Sequence, residues 1–168
     1  MPEPVSEFSY CEVGVEGLAE IQPLWTKLNA EHAAMSRPFG AEIAERTFAS
    51  RRTELLMKGR SGGLWVEVVR AVASDGAAAV AYCLCTLSPE GVGEIDSIFV
   101  EEKFRGHGIG AELMRRALAW MEEMKAGAKM VSVLYENTEA IAFYRRFGFH
   151  PRTVLLLESM APEGKAQG

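Results

Sequence analysis

Apolar and polar positions follow two different periods along this chain, and the changes of period divide it into elements. Apolar residues between Leu18 and Leu28 recur at three- and four-residue steps, which is typical of an amphipathic helix, and Pro23 must lie in its first turns or bend it. The pattern breaks between His32 and Gly40. The predicted order is a strand at 8–14, helices at 18–28 and 41–58, strands at 64–72, 77–87 and 94–100, a helix from 108 to 126, a strand at 129–134, a helix at 137–147 and a strand at 150–158.

Turn-forming residues separate these elements. Gly62-Gly63, Ser74-Asp75-Gly76 and Pro89-Glu90-Gly91 predict turns around the three central strands, and Gly127 and Gly148 are expected to end the two later helices. This order predicts one α+β domain with a mixed sheet over residues 1–160, followed by a disordered tail at 161–168.

Composition narrows the class of protein. The chain has 168 residues and a formal net charge of -5, so the surface as a whole does not attract nucleic acid or anionic lipid. The N-terminal sequence is acidic and lacks the features of a signal peptide. Three cysteines in apolar stretches, Cys11, Cys83 and Cys85, predict buried, reduced thiols in a cytoplasmic protein, and no pattern of zinc ligands follows them.

The most informative stretch is the loop before the long helix. Three glycines alternate between Arg105 and Ala111, where a strand gives way to a helix. Glycines let the main chain approach a ligand, and the N–H groups of a helix N-terminus bind phosphate oxygens. A tight connection without a ligand is the plain alternative. The spacing also fits a dinucleotide fingerprint with Glu136 as its acidic partner, although hairpin-joined strands argue against that fold.

Three motifs together resemble the GNAT superfamily of N-acetyltransferases. Arg105-x-x-Gly108-x-Gly110 matches its R/Q-x-x-G-x-G/A signature, and the strand Glu94–Val100 resembles its central strand. The stretch from Asn137 to Phe149 resembles its final motif, N-x-x-A-x-x-x-Y-x-x-x-G-F. Glu102 departs from the pattern, since many members carry proline there.

The resemblance implies a mixed, mostly antiparallel central sheet that is flanked by helices and splayed between its fourth and fifth strands. It also implies acetyl-CoA as cosubstrate, with the pantetheine arm along the β-strand backbone and the pyrophosphate on the glycine loop. The implied cofactor-binding residues are Ile98, Phe99, Val100, Arg105, Gly106, His107, Gly108, Ile109, Gly110, Ala111, Asn137 and Tyr144.

Acetyl transfer to an amine needs a base for the amine and an acid for the departing thiolate. The resemblance assigns the acid to Tyr144, which spacing alone would place in the core. The resemblance makes Glu94 the leading candidate for the base, because some family members carry a catalytic glutamate six residues before the end of this strand. Asp96 is expected on the same strand face as Glu94 and Ile98, and two neighbouring acids could raise each other's pKa. The alternative is that both acids lie at a solvated end of the strand and have no catalytic role.

The acceptor pocket is expected at the first two helices and their connection. Its candidate residues are Trp25, His32, Arg37 and Phe39. An equally good alternative is that Trp25 lies in the core and Arg37 on the solvated surface. The resemblance thus implies an N-acetyltransferase that moves the acetyl group to a primary amine, of a small molecule or a peptide N-terminus, by direct attack of the amine on the thioester. A non-catalytic acyl-CoA-binding module and a dinucleotide-dependent oxidoreductase are the alternatives, and an exposed last strand could support a homodimer.

Overall fold

The fold is built on one twisted sheet. A computed structural model describes residues 8–60, 63–72 and 78–159. The strands are β1 (Phe8–Glu12), β2 (Gly63–Ala71), β3 (Ala79–Leu87), β4 (Val92–Val100) and β5 (Ala128–Val131). They lie in the order β1-β2-β3-β4-β5, with β4 and β5 parallel and every other neighbouring pair antiparallel. The predicted turns at Gly62-Gly63 and Ser74–Gly76 involve residues outside the described ranges.

Helices cover both faces of the sheet. The helices are α1 (Gln22–Met35), α2 (Gly40–Glu45), α3 (Phe48–Gly59), α4 (Ile109–Glu123) and α5 (Thr138–Arg145), with short 3-10 helices at Glu16–Ile21 and Glu102–Phe104. Pro23 lies in the first turn of α1, where its missing N–H costs nothing. None of the helices in these ranges is both long and apolar enough to cross a membrane.

Two apolar clusters hold the helices to the sheet. On one face, α4 buries residues at a four-residue spacing, Ile109, Leu113, Ala117 and Met121, against β3 and β4. On the other face, α1 and α3 bury Trp25 and Leu55 against the opposite side of the same strands. The mixed, mostly antiparallel sheet flanked by helices that the resemblance implied is present, in a single α+β domain.

The predicted helix at 41–58 is two helices. Thr47 takes an extended conformation between them, and its hydroxyl caps α3 by accepting a hydrogen bond from the Ser50 N–H over 3.1 Å. A capping threonine in the middle of an apolar pattern does not change that pattern, which explains why periodicity joined the two helices.

Helix α4 ends earlier than Gly127, contrary to the prediction. Lys125 takes the left-handed conformation with φ 57°, and the Ala126 N–H donates to the Met121 carbonyl over 2.9 Å. This left-handed residue and this hydrogen bond are those of a Schellman cap, with lysine in the place usually held by glycine. At the end of α5, Gly148 takes that place as predicted, with φ 86°.

The predicted last strand at 150–158 is absent from the described structure. Residues 151–159 have no regular secondary structure, and Leu155 and Leu156 are 78% and 87% exposed. Their apolar positions are consecutive, so the segment has no alternating buried face to hold it against β5. The tail predicted at 161–168 lies outside the described residues.

The cysteine prediction is wrong for one residue. Cys83 and Cys85 are buried side by side on β3, with sulfur atoms 3.9 Å apart. Cys11 is exposed, because β1 is an edge strand and packs Phe8 and Tyr10 inward on its other face.

Candidate active site

The sheet opens between β4 and β5. The parallel pairing runs only from Val92 opposite Ala128 to Ile95 opposite Val131. Strand β4 then continues to Val100, with no β5 partner in the described chain. The open edge leaves main-chain donors and acceptors available to a ligand.

A bulge in β4 stands where the sheet opens. Leu84 of β3 pairs with Ser97, whereas the next residue, Cys85, pairs with Ile95. Asp96 is therefore an extra residue with no opposite number on β3. Such a bulge bends its strand and redirects the side chains that follow it.

The bulge reverses the alternation of side chains. Glu94 and Asp96 both point to the α3 face, where they meet Lys58, as predicted for two acids two residues apart. Ile98 packs instead with the cluster under α4. The expectation that all three share one face is thus correct for the acids and wrong for Ile98, because a one-residue insertion exchanges the faces.

Beyond the bulge, alternate main-chain groups of β4 face the gap. Glu101, just after β4, donates its N–H to the Val80 carbonyl over 2.9 Å. Because antiparallel pairing alternates, the N–H and C=O groups of Val100 and Ile98 point away from β3. Phe99 directs its main chain to β3 and buries its ring on the other face. Of the three predicted residues, Ile98 and Val100 are the ones that offer main-chain groups to a ligand.

The glycine loop presents a row of unused donors. Within the described part of the chain, none of the six main-chain N–H groups from Gly106 to Ala111 donates a hydrogen bond. The first helical bond of α4 is donated by the Glu112 N–H to the Gly108 carbonyl, over 3.0 Å. These donors and the positive end of a 15-residue helix together form an anion-binding surface.

Two glycines make that surface possible. Gly106 and Gly108 have φ values of +82° and +79°, which strain any residue with a Cβ. No heavy atom lies within 4 Å of the Cβ position at either residue, so the loop is open toward solvent. The space above these residues suits a group as large as a pyrophosphate.

The side chains of the loop fold back onto the protein. The Arg105 guanidinium donates to the Val100 carbonyl over 2.9 Å and to the Glu31 carboxylate over 2.8 Å. The His107 Nδ1 lies 3.1 Å from the carbonyl oxygens of Phe104 and Arg105. Both predicted ligand side chains thus brace the loop to its surroundings, and the free donors are in the main chain.

Tyr144 lies in the core cluster under α4, on the helix that follows the gap. Burial raises the pKa of its phenol far above the usual value, with smaller contributions from the nearby Cys83 and Cys85. The hydroxyl is thus protonated at neutral pH, and it makes no hydrogen bond within the described residues. A protonated, unengaged phenol in an apolar setting can donate to a developing anion.

Asn137 caps α5 as predicted. Its Oδ1 accepts a hydrogen bond from the Ala140 N–H over 3.0 Å. Its Nδ2 amide has no partner among the described residues and remains available as a donor at the N-terminus of α5.

The two predicted bases differ in their surroundings. The Asp96 side chain is 1% exposed and accepts hydrogen bonds from Lys58 and Thr86, each over 2.5 Å, and from Arg51 over 3.3 Å. The Glu94 side chain is 23% exposed, and Lys58, at 2.5 Å, is its one partner among the described residues. Asp96 is therefore an internal anchor, and Glu94 retains an oxygen that can meet a substrate or a water.

Lys58 organises this pair. Burial acts to lower the pKa of Lys58, but hydrogen bonds and charge from Asp96 and Glu94 outweigh burial and raise it. The amine is therefore charged at neutral pH, and it offsets the repulsion between the two acids. The prediction that these acids raise each other's pKa depended on that repulsion. Sequence reasoning missed Lys58, since it precedes the acids by more than thirty residues and sits on a separate helix.

A cleft of about 540 Å³ opens beside Glu94. Lys58, Thr86 and Met130 also line it, on α3, β3 and β5. It lies over the paired part of β4 and β5, next to the point where the sheet opens, on the side where the two acids project. Such a cleft can hold an acceptor next to the open edge of β4.

The four predicted acceptor residues do not line this cleft. Trp25 is 8% exposed and packs its ring 5.6 Å from that of Phe48, so it is a core residue and the prediction is corrected. His32, Arg37 and Phe39 lie around the connection between α1 and α2. Burial lowers the pKa of His32. The role of these three in acceptor binding stays a prediction.

Known proteins share sequence with this chain. The model of the acetyltransferase (GNAT) family matches residues 27–149. An uncharacterized N-acetyltransferase of Methanocaldococcus jannaschii is 42% identical over 66 residues, which are 38% of this chain and 28% of that protein. The spermine/spermidine N(1)-acetyltransferase of Bacillus subtilis is 30% identical over 56 residues, 33% of this chain and 37% of that protein. The chain therefore matches well under half the length of these relatives.

Solved structures share the fold. A GCN5-related N-acetyltransferase from Ralstonia eutropha superposes with a TM-score of 0.69 over 90% of this chain and 98% of that chain, at 18% identity. An aminoglycoside N-acetyltransferase solved with CoA gives a TM-score of 0.64 over 96% and 99% of the two chains, at 16% identity. The family model covers most of the chain, including the loop, the splayed strands and the tyrosine helix, and the chain therefore belongs to the GNAT family of acetyltransferases.

Proposed function

We propose that this protein transfers an acetyl group from acetyl-CoA to a primary amine by direct attack of the amine on the thioester. The observation that supports this most is the row of six free N–H groups from Gly106 to Ala111, which adjoins the open edge of β4. The loop binds the pyrophosphate through those donors, so an acidic protein can hold an anionic cosubstrate by local geometry.

The open edge of β4 then orients the rest of the cosubstrate. The N–H groups of Ile98 and Val100 and the Ile98 carbonyl pair with the amide groups of the pantetheine arm, as a further strand would. Arg105 already occupies the Val100 carbonyl. The Nδ2 amide of Asn137 provides a donor from the opposite side of the gap. Acetyl-CoA supplies the activated thioester.

Proton transfer falls to Glu94 and Tyr144. An alkyl ammonium has a pKa of about 10.4 and must lose a proton before it attacks. Glu94 takes that proton, directly or through a water, on the cleft side of the sheet. Tyr144 lies with α5 on the opposite face and donates its phenolic proton to the departing thiolate.

The experiment combines binding and turnover. Acetyl-CoA at 100 times its dissociation constant should add about 2.7 kcal/mol to the free energy of unfolding, and NAD should add none. A panel of primary amines should release free CoA thiol. Stabilisation by NAD alone would favour the oxidoreductase. Stabilisation by acetyl-CoA without release of thiol with any amine would favour the acyl-CoA-binding module.

We also propose a homodimer formed through the C-terminal segment. Residues 152–158 make no main-chain hydrogen bond within the described chain, and their side chains from Val154 to Leu157 are exposed. Strand β5 is at the edge of the described sheet. A second copy of the chain, related by a two-fold axis, presents the same unpaired main-chain groups and the same exposed side chains, so the two segments can cover each other.

A further inference from the structure

The walls of the cleft beside Glu94 are mostly apolar. Met57 and Met130 line it with exposed side chains from α3 and β5, and Val92 and Pro89 line it at the start of β4. Methionine side chains adapt to apolar ligands of varied shape. The cleft therefore favours an acceptor with a flexible apolar body.

The charges in the cleft cancel. Among the described lining residues, Glu94 is the carboxylate and Lys58 is the cation, and they form an ion pair at 2.5 Å. Asp96 lies behind them, engaged by Lys58 and Arg51. The acids of the site are thus already neutralised by cations of the protein.

A second ammonium on the acceptor would meet no acid in this cleft. Once the reacting amine lies at Glu94, a distal cation would stand against apolar side chains or against the uncharged hydroxyls of Ser88 and Thr86, none of which is an acid. Removing a cation from water without a partner is costly, whereas an alkyl group gains by burial at the same place. A polycationic acceptor is disfavoured for this reason.

Resting on the proposed function, we propose that the acceptor is a primary amine with one positive charge and an apolar body, such as an alkyl- or arylalkylamine, and not a polyamine or another polycation. Lys58 acts as a specificity-determining residue by neutralising Glu94 and Asp96. The walls of the cleft select the apolar body.

The test compares two amines of equal length, hexylamine and 1,6-diaminohexane, at saturating acetyl-CoA. The wild-type protein should show kcat/KM for hexylamine at least about tenfold higher, after the twofold statistical advantage of the diamine is removed. Equal or higher kcat/KM for the diamine overturns the inference.

Two variants separate charge from shape. Met57→Glu places a carboxylate at the exposed mouth of the cleft, where it should not disturb folding, and Met57→Gln is its neutral match. The Glu variant should move the ratio toward the diamine by about tenfold, and the Gln variant, which removes apolar wall without adding charge, should move it by less than about threefold. An equal shift in both variants, or none in the Glu variant, overturns the role of charge.

The outcome also distinguishes this inference from the proposed function. If acetyl-CoA stabilises the protein and a polyamine such as spermidine releases thiol better than hexylamine, the inference fails and the acetyltransferase stands. If neither hexylamine nor the diamine reacts while another amine of the panel releases thiol, the inference fails alone. If acetyl-CoA gives no stabilisation and no amine releases thiol, both fail.

Discussion

At the scale of single residues, environment gives two carboxylates on one strand different tasks. In the part of the chain that the structure describes, Asp96 has three donors around a side chain that is 1% exposed, whereas Glu94 has one donor and meets the cleft. A buried, fully engaged acid stabilises the fold, and a partly exposed acid is free to take a proton. The two isosteric amide variants should therefore behave oppositely.

Glu94→Gln should lower kcat about a hundredfold and change the pH profile of transfer, because the base is removed. Its free energy of unfolding should fall by no more than about 1 kcal/mol, since the ion pair is partly exposed. Asp96→Asn should instead cost about 1–3 kcal/mol of stability, because buried donors lose a charged acceptor. Rate measurements and urea denaturation on both variants check this. An unchanged pH profile in Glu94→Gln would assign the base to water.

Tyr144→Phe should lower kcat by at least about tenfold and leave the dissociation constant of acetyl-CoA within about threefold of the wild-type value. The variant loses the proton donor and keeps the ring packing. Tyr10→Phe is the matched control, because Tyr10 lies on β1, away from the gap, with its ring under the Arg116 guanidinium of α4. This variant should retain full kcat. Full activity in Tyr144→Phe would reduce this residue to packing.

The same tyrosine gives a test by stability alone. Because burial raises the pKa of Tyr144 above the unfolded value of 10.0, the folded state keeps a proton that the unfolded state loses as pH rises past about 10. Stability attributable to this group is therefore complete below pH 10 and declines above it. In Tyr144→Phe, the alkaline fall in the free energy of unfolding should be shallower by up to about 1.4 kcal/mol per pH unit, measured by denaturation between pH 9 and 11.

At the scale of elements, the junction of β4 and α4 should lose its affinity for acetyl-CoA when a side chain covers its free main-chain N–H groups. Gly108→Glu strains a left-handed position by about 1–2 kcal/mol and places a negative charge over the free N–H groups. Acetyl-CoA affinity should fall at least about a hundredfold by calorimetry. Gly14→Glu is the control, because Gly14 has φ +61° and equally open surroundings outside the site. It should lose similar stability and keep its affinity.

The sequence predicted those elements whose cause is local. Alternating glycines before a four-residue apolar repeat identified the loop and α4, and Asn137 with Gly148 bounded the tyrosine helix. The bulge at Asp96 was not predictable, because its evidence is a pairing register with β3. Lys58 was not predictable as a site residue, because only the packing of α3 on the sheet brings it to the acids. Local pattern thus predicts the proposed cosubstrate side, whereas tertiary packing determines the proposed acceptor side.

At the scale of the whole molecule, the two layers meet at one opening. Tyr144 belongs to the cluster under α4, and Glu94 points to the α3 face. The sheet separates the proposed acid from the proposed base, and the splay of β5 is the place where both faces become continuous. An amine that enters from the α3 face can thus attack a thioester aligned along β4, with its thiolate leaving toward Tyr144.

The C-terminal segment leaves this molecule with exposed apolar surface that a second copy should cover. Leu156 is 87% exposed, so replacing it costs the isolated protomer little, whereas a glutamate buried between two copies is expensive. Leu156→Glu should therefore lower the mass measured by sedimentation equilibrium from that of a dimer to that of a monomer, without loss of melting temperature in dilute solution. Val15→Glu adds the same charge at an isolated exposed residue outside the segment and should leave the dimer intact. A wild-type protein that remains monomeric at about 100 µM would refute the dimer, because interfaces of stable homodimers bind well below that concentration.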